Sequence, residues 1–373
     1  MSINKKRVLD EFNKLISFDS ASFFEDDIAN YLYDKLKNLG LEVHMDKAVE
    51  KLTGRNTNTG NIYGYLKGNI EGNPILFSAH MDTVEPSKNK KAIIEGNVIR
   101  ANGSSVLGSD DVTGIVEILE MLTQIKENNL DHPDIEVIFF VAEEPFCKGS
   151  SVFDFSIVKS KKAYVFDLHG KVGNIAVSAP SIFTFYVSIK GKAAHAGFEI
   201  EKGISSIQIA SNAISKIKLG RIDKDTTINI GTINGGVLKN VVPELTTIVG
   251  EVRSSNHNKG LALLEDVKKT FIDETKKSGG TIEFDYEENV FAYKINDDEE
   301  VVKDYLKVID KLGYGKIDLV ETFGGSDNNN LNKHGIKGVV VANAMNDIHT
   351  VHEYFEIDEF YKACEICLAL ATK

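Results

Sequence analysis

The sequence predicts an α/β fold, a mostly parallel mixed sheet with helices on both faces, carrying an inserted ferredoxin-like α+β domain. Two observations lead there. Nearly uninterrupted apolar runs at 75–79, 135–142, 163–166 and 338–342 are separated by stretches of helical spacing, and strands apolar on both faces must be covered on both. Between about 178 and 290 the pattern changes to alternation, the mark of strands with one open face.

The elements follow in order. The first twenty residues break their apolar positions with charges every few residues and read as an amphipathic helix, not a signal peptide. Helical spacing returns over 26–39, with Ile28, Leu32, Leu36 and Leu39 on one face. A strand follows Pro74. A long helix is expected over 111–127, with Val112, Ile115, Val116, Leu119, Leu122 and Ile125 as its apolar stripe. In the inserted part, Phe183, Phe185, Val187 and Ile189 alternate with Thr184, Tyr186, Ser188 and Lys190. A helix (Ile204, Ile207, Ile209, Ala213, Ile217), strands near 226–233 and 244–252, a helix (Leu261, Leu264, Val267, Phe271) and a strand (Ile282, Phe284, Tyr286) complete a β-α-β-β-α-β order. The run GVVVA at 338–342 and a helix from about 358 then resume the first pattern. The expected organisation is one domain from 1–177 and 291–373, and a second, inserted domain over 178–290.

Composition narrows the function classes. The 373 residues are 42% hydrophobic and carry a formal net charge of −12, so no clustered positive charge offers itself to nucleic acid or an anionic membrane. No stretch approaches the roughly 18 apolar residues of a membrane span. Three cysteines, Cys147, Cys364 and Cys367, cannot build a disulfide framework. A cytoplasmic protein is expected.

Chemistry concentrates where strands end. His80 and Asp82 follow the run at 75–79, Glu143 and Glu144 the run at 135–142, and Asp167 the run at 163–166. His349 lies beyond GVVVA, and Asp110 just before the long helix. Ligands of open α/β sheets bind beyond the carboxyl ends of the strands. Two carboxylates about 4 Å apart repel by roughly 4 kcal/mol at an effective dielectric near 20, so divalent cations are the economical neutralisers. Imidazole with carboxylate suits zinc, with cobalt and manganese also chemically compatible. Five candidate ligands exceed the three of a usual catalytic zinc site, and one bridging carboxylate lets them serve two ions. A glutamate left uncoordinated is then available as general base.

The motifs HMD at 80–82, GSDD at 108–111, VAEEP at 141–145, VFDLHG at 165–170 and HTVHE at 349–353 resemble the co-catalytic zinc aminoacylase/carboxypeptidase family of peptidases, closest to its peptidase T branch. The resemblance implies that His80 and Asp167 bind one zinc, Glu144 and His349 the other, and Asp110 bridges both. It implies that Asp82 holds the outer nitrogen of His80 and that Glu143 is the general base. The segment GKAAHAG resembles the family's histidine motif, making His195 a candidate oxyanion donor. Asn240 and Arg253 match a substrate-contacting pair, and Gly324–Asp327 a glycine turn beside the site. Some relatives are dimers whose histidine reaches the partner's site, so a homodimer through the inserted domain, which would also act as a lid, is one implication. The implied activity is di-zinc hydrolysis of short peptides, releasing the N-terminal residue of tripeptides. Dipeptidase, carboxypeptidase or N-acyl-amino-acid deacylase action, or a catalytically silent relative, fits the same motifs.

Other features read as structural. His352 rivals His349, but the motif places its ligand four residues before Glu353. His169 has no matched role. Cys364 and Cys367 are expected in the core, and Lys88, Lys90 and Lys91 in a solvated loop.

Overall fold

Four parallel strands occupy the middle of the larger sheet: Ile135–Phe140, Ile75–His80, Lys162–Leu168 and Lys337–Ala342, side by side in that order. The computed structural model describes residues 3–373; the first two residues of the amphipathic N-terminal segment lie outside it. Every residue of the first two strands is buried, as strands covered on both faces require. In register, His80 stands opposite Phe140 and Phe77 opposite Tyr164. Antiparallel strands Ile62–Leu66 and Glu42–Met45 extend one side of the sheet, and Ile175–Ala179 the other. Phe77, Phe139, Phe140 and Phe166 are completely buried, each contributing about 1.5–3 kcal/mol of apolar burial.

Local signals set the helices. Asp26–Leu39 begins with two acids that suit the positive end of its dipole. It ends where Gly40 takes φ 100°, a left-handed residue that returns its N–H to the last turn. Ile28, Leu32 and Leu36 form its buried face. The expected long helix runs from Ser109 to Asn128, starting two residues before the expected 111, with Asp110 and Asp111 at non-helical backbone angles in its first turn. The closing helix is Ile357–Ala371, with Cys364 and Cys367 fully buried on it. No helix among the described residues is long and apolar enough to cross a membrane.

The chain divides into two compact units. The first comprises residues up to Ser178, Lys294–Thr322 and Ser326–Lys373; the second comprises Ala179–Tyr293 and Phe323–Gly325. The second unit is an antiparallel sheet ordered Gly220–Asp223, Thr226–Gly235, Leu245–Ser254, Ser181–Lys190, Thr281–Val290. Helices Ser206–Ile214 and His257–Ser278 pack on one face, where Phe183, Phe185, Val187 and Ile189 meet Ile209, Leu264, Val267 and Phe271. This is the ferredoxin-like order with one added edge strand, Gly220–Asp223.

Two features depart from the sequence reading. A small sheet joins Ala92–Glu95, Val98–Ala101, Tyr354–Glu356 and Met345–Asn346. Lys90, expected in a solvated loop, is buried, with its Nζ 3.4 Å from Ser20 Oγ and 3.3 Å from Thr83 Oγ1. Burial lowers its ammonium to about 8.

Candidate metal centre

The parallel strands bring the singled-out side chains of the first unit to one rim. His80 is the last residue of its strand, Asp167 the penultimate residue of Lys162–Leu168, and Glu143 and Glu144 follow Ile135–Phe140 after Val141 and Ala142. Asp110 projects from the opening of the Ser109–Asn128 helix. His349 lies between Met345–Asn346 and Tyr354–Glu356, at φ 64°. Two three-residue groups result. His80, Asp110 and Asp167 offer ligand atoms within 4.8 Å of one another, and so do Asp110, Glu144 and His349.

Asp110 belongs to both groups because its two oxygens face different ways. Oδ1 is 3.1 Å from His80 Nε2, and Oδ2 is 3.0 Å from His349 Nε2. Glu144 Oε2 meets the same His349 nitrogen at 3.1 Å. Its other oxygen, Oε1, is buried with no hydrogen-bond partner among the described residues. A buried carboxylate oxygen left unpaired is costly in a closed protein core and natural beside a cation. The donor set of two imidazoles and three carboxylates suits zinc-type divalent ions. His352 and His169 are exposed and belong to neither group.

Crowding shows in the acid–base balance. Burial, then the neighbouring Asp167 charge, pushes Glu143 well above the usual carboxylate range. Burial, then the Asp110 charge, also raises Glu144. Burial also opposes charge on Asp110, but hydrogen bonds with His349 and His80 win and hold it below its ordinary value. His349, bonded to Asp110 and Glu144, is pushed up to about 10. Imidazolium protons and metal ions are alternative countercharges here, since ligand histidines must be neutral to bind metal.

The surrounding hydrogen bonds fix these groups. His80 Nδ1 lies 2.9 Å from the main-chain oxygen of Asp82 and 3.4 Å from its Oδ1. A carbonyl only accepts, so Nδ1 carries hydrogen and Nε2 faces Asp110. The Asp82 carboxylate is chiefly engaged elsewhere: it accepts from the amides of Glu143 (2.9 Å) and Glu144 (3.2 Å) and from the Ser22 hydroxyl (2.7 Å). Glu143 itself accepts from the Cys147 thiol at 3.3 Å, and it belongs to neither ligand group.

Several further buried acids surround the site, two of them, Asp111 and Glu353, not singled out for it in the sequence. Asp111 accepts from the His80 amide at 3.1 Å and from Asn343 Nδ2 at 2.7 Å. Glu353 binds the loop that carries Asp110. Asp327, in the glycine turn, accepts from the Ser150 hydroxyl at 2.6 Å, and burial pushes it up to about 7. Asp111 and Glu353 already stand inside the motifs GSDD and HTVHE, one and four residues from the candidate ligands Asp110 and His349.

In the second unit, His195 and Asn240 become neighbours through an antiparallel bridge between His195 and Val241, with the Ala196 amide donating to Asn240 O at 3.0 Å. His195 is exposed. Its Nδ1 accepts from the amides of Gly197 (3.1 Å) and Phe198 (3.3 Å), which leaves Nε2 as the protonated donor of the neutral ring. The Phe198 ring lies 4.6 Å from it, centre to centre. Arg253 already holds a carboxylate: Nε and Nη2 reach Glu251 at 2.9 and 3.1 Å, and Nη1 donates to Phe323 O at 2.9 Å.

This arrangement has counterparts. Residues 76–373 match peptidase family M20/M25/M40. Protein YqjE of Bacillus subtilis is 38% identical over 368 residues, covering 99% of this chain and 98% of its own length. Peptidase T of Fusobacterium nucleatum is 24% identical over 369 residues, covering 95% and 85% respectively. Among solved structures, the aminopeptidase PepT of Bacillus cereus superposes with a TM-score of 0.90 at 36% identity, covering 99% of this chain and 98% of that one. A tripeptidase of Staphylococcus aureus does so with 0.94 at 31% identity, covering 100% and 98%. With sequence match, fold and a clustered His/Asp/Glu donor set in agreement, the chain belongs to peptidase family M20/M25/M40 and is a metallo-exopeptidase of its peptidase T-like branch.

Proposed function

We propose that this protein is a cytoplasmic di-zinc aminopeptidase that releases the N-terminal residue of short peptides, tripeptides foremost. The observation that carries the reading is the pair of ligand groups sharing Asp110, with Glu143 buried beside them and outside both. The peptidase T and tripeptidase likenesses support the substrate class.

In this reading His80 and Asp167 hold one ion, Glu144 and His349 the other, and Asp110 both. When bound, the ions supply Lewis acidity and a nucleophile at neutral pH. Glu143 takes the proton of the attacking water and hands it to the leaving amine. Its raised proton affinity suits a group that must hold that proton between the two steps. His195 donates from Nε2 to the oxyanion of the tetrahedral intermediate. Asn240 and Arg253 contact substrate. Arg253 is placed to clamp a carboxylate; its present pairing with the part-exposed Glu251 is worth about 0–1 kcal/mol and is exchangeable.

Three versions of one tripeptide test this: free, N-acetylated and C-amidated, with products identified by mass. Loss of the N-terminal residue from the free and amidated peptides, and none from the acetylated one, is the expected result. Cleavage blocked by the amide instead would make the enzyme a carboxypeptidase. Glu143→Gln should abolish turnover while leaving metal content unchanged. A homodimer through the second unit remains part of this reading, and sedimentation velocity tests it.

A further inference from the structure

Glu143 and Glu144 leave the Ile135–Phe140 strand through Ala142, whose φ is +49°, a left-handed backbone that costs a non-glycine residue about 1–2 kcal/mol. Carboxylates take the three successive amides of residues 142–144. Ala142 N–H donates to Glu25 Oε1 at 2.9 Å, Glu143 N–H to Asp82 Oδ1 at 2.9 Å, and Glu144 N–H to Asp82 Oδ2 at 3.2 Å. Asp82 stands in the HMD motif. Glu25 lies in the loop before the Asp26–Leu39 helix, 117 residues from Ala142.

Glu25 is completely buried. Its Oε1 also accepts from Phe23 N–H at 3.0 Å, and Phe23 has φ +70°. One oxygen thus pins two left-handed residues, one in its own loop and one at the end of the strand. A residue at a helix start ordinarily caps it, yet this side chain makes no capping bond. Its other oxygen, Oε2, is buried without a partner among the described residues. The loop is stitched to the same rim by its neighbours: Ser22 donates to Asp82, Thr83 N–H donates to Ser20 O at 2.9 Å, and Ala21 bridges Thr83.

We infer that Glu25 is a positioning residue for the Glu143–Glu144 pair, fixing the Ala142 amide so that the two glutamates leave the strand toward their separate tasks. The inference rests on Glu143 being the general base. Glu25 touches no substrate; it acts through the backbone of the turn. Accepting two amides needs one oxygen and no charge. Burial, then Asp82, pushes this carboxyl up to about 8, and an amide oxygen meets the same demand.

Glu25→Ala and Glu25→Gln decide it, each read in two ways. At saturating zinc, the alanine variant should lose about 10- to 100-fold in kcat, the scale of a misplaced catalytic group, with KM within threefold of wild type. The glutamine variant should stay within threefold in both. In metal-free protein, hydrogen exchange over 142–144 should accelerate at least tenfold in Glu25→Ala, with 135–140 protected as in wild type, and remain slow in Glu25→Gln. Unchanged exchange or kcat in Glu25→Ala, or a glutamine variant as impaired as alanine, overturns the inference. If the alanine variant does not fold, Glu25→Asp, which withdraws the oxygens by one methylene, carries the same readouts and expectations. An active Glu143→Gln control would remove the base assignment, and the exchange measurement would still decide whether Glu25 holds the turn.

Discussion

Glu353 grips the Asp110 main chain from 243 residues away: its Oε1 accepts from the Asp110 amide at 3.1 Å. The same buried carboxylate accepts from the amides of Leu107 (2.7 Å) and Gly108 (3.0 Å) and from the Ser109 hydroxyl. All of its partners are donors, which only a two-oxygen acceptor satisfies. Glu353→Gln places an NH₂ group against N–H groups and loosens the segment that carries Asp110, the candidate ligand common to both groups. Groups that orient metal ligands typically change affinity about 10- to 100-fold. Zinc affinity measured by competition with a chelator should fall by that much, with the circular dichroism spectrum preserved.

The double engagement of Asp110 makes its loss different in kind from the loss of any other candidate ligand. Asp110→Asn removes a carboxylate facing both His80 and His349. Elemental analysis after dialysis should show occupancy of both positions falling together. His80→Ala or Asp167→Ala, and separately Glu144→Ala or His349→Ala, should each lower occupancy of one position. Equal stoichiometry for the Asp110 and Asp167 variants would remove the bridging role.

His195 owes its tautomer to two backbone amides at Nδ1, so its Nε2–H is oriented before any substrate arrives. Preorganised oxyanion donors are worth about 10²–10³ in kcat. His195→Ala should lose that much with KM little changed. His195→Asn, with a donor on a shorter side chain, should recover part of it. A wild-type kcat in His195→Ala would exclude the oxyanion role.

Much of this was legible in the sequence, for a physical reason. Strands covered on both faces are written as apolar runs, so the rim where His80, Glu143, Glu144 and Asp167 meet was visible from 75–79, 135–142 and 163–166. His349 and Asp110 were legible more weakly, by their places after GVVVA and before the long helix, because they follow no periodic run of their own. Glu25, Asp111 and Glu353 act on main-chain amides, and an amide carries no residue type for a sequence to display. The small sheet that positions His349 is built from strands of two to four residues, too short for a period of two to register. Lys90 follows the same logic: a KNKK run looks solvated until the fold folds one stem inward.

Glu117 gives a stability prediction away from the metal groups. It lies on the Ser109–Asn128 helix inside its buried face, with both carboxyl oxygens buried and unpartnered among the described residues. Burial alone pushes its carboxyl well above the ordinary value of 4.5. The folded protein therefore keeps this proton at pH values where the unfolded chain has released it. The unfolded state then binds fewer protons, so stability falls as pH rises above 4.5 toward the folded value, by up to about 1.4 kcal/mol per pH unit. Glu117→Gln removes the ionisation and keeps the shape. In urea melts of metal-free protein, the variant's advantage over wild type should be small at pH 5 and grow steadily to pH 8. A difference independent of pH would show that Glu117 is ionised in the folded protein, with its charge compensated inside the core.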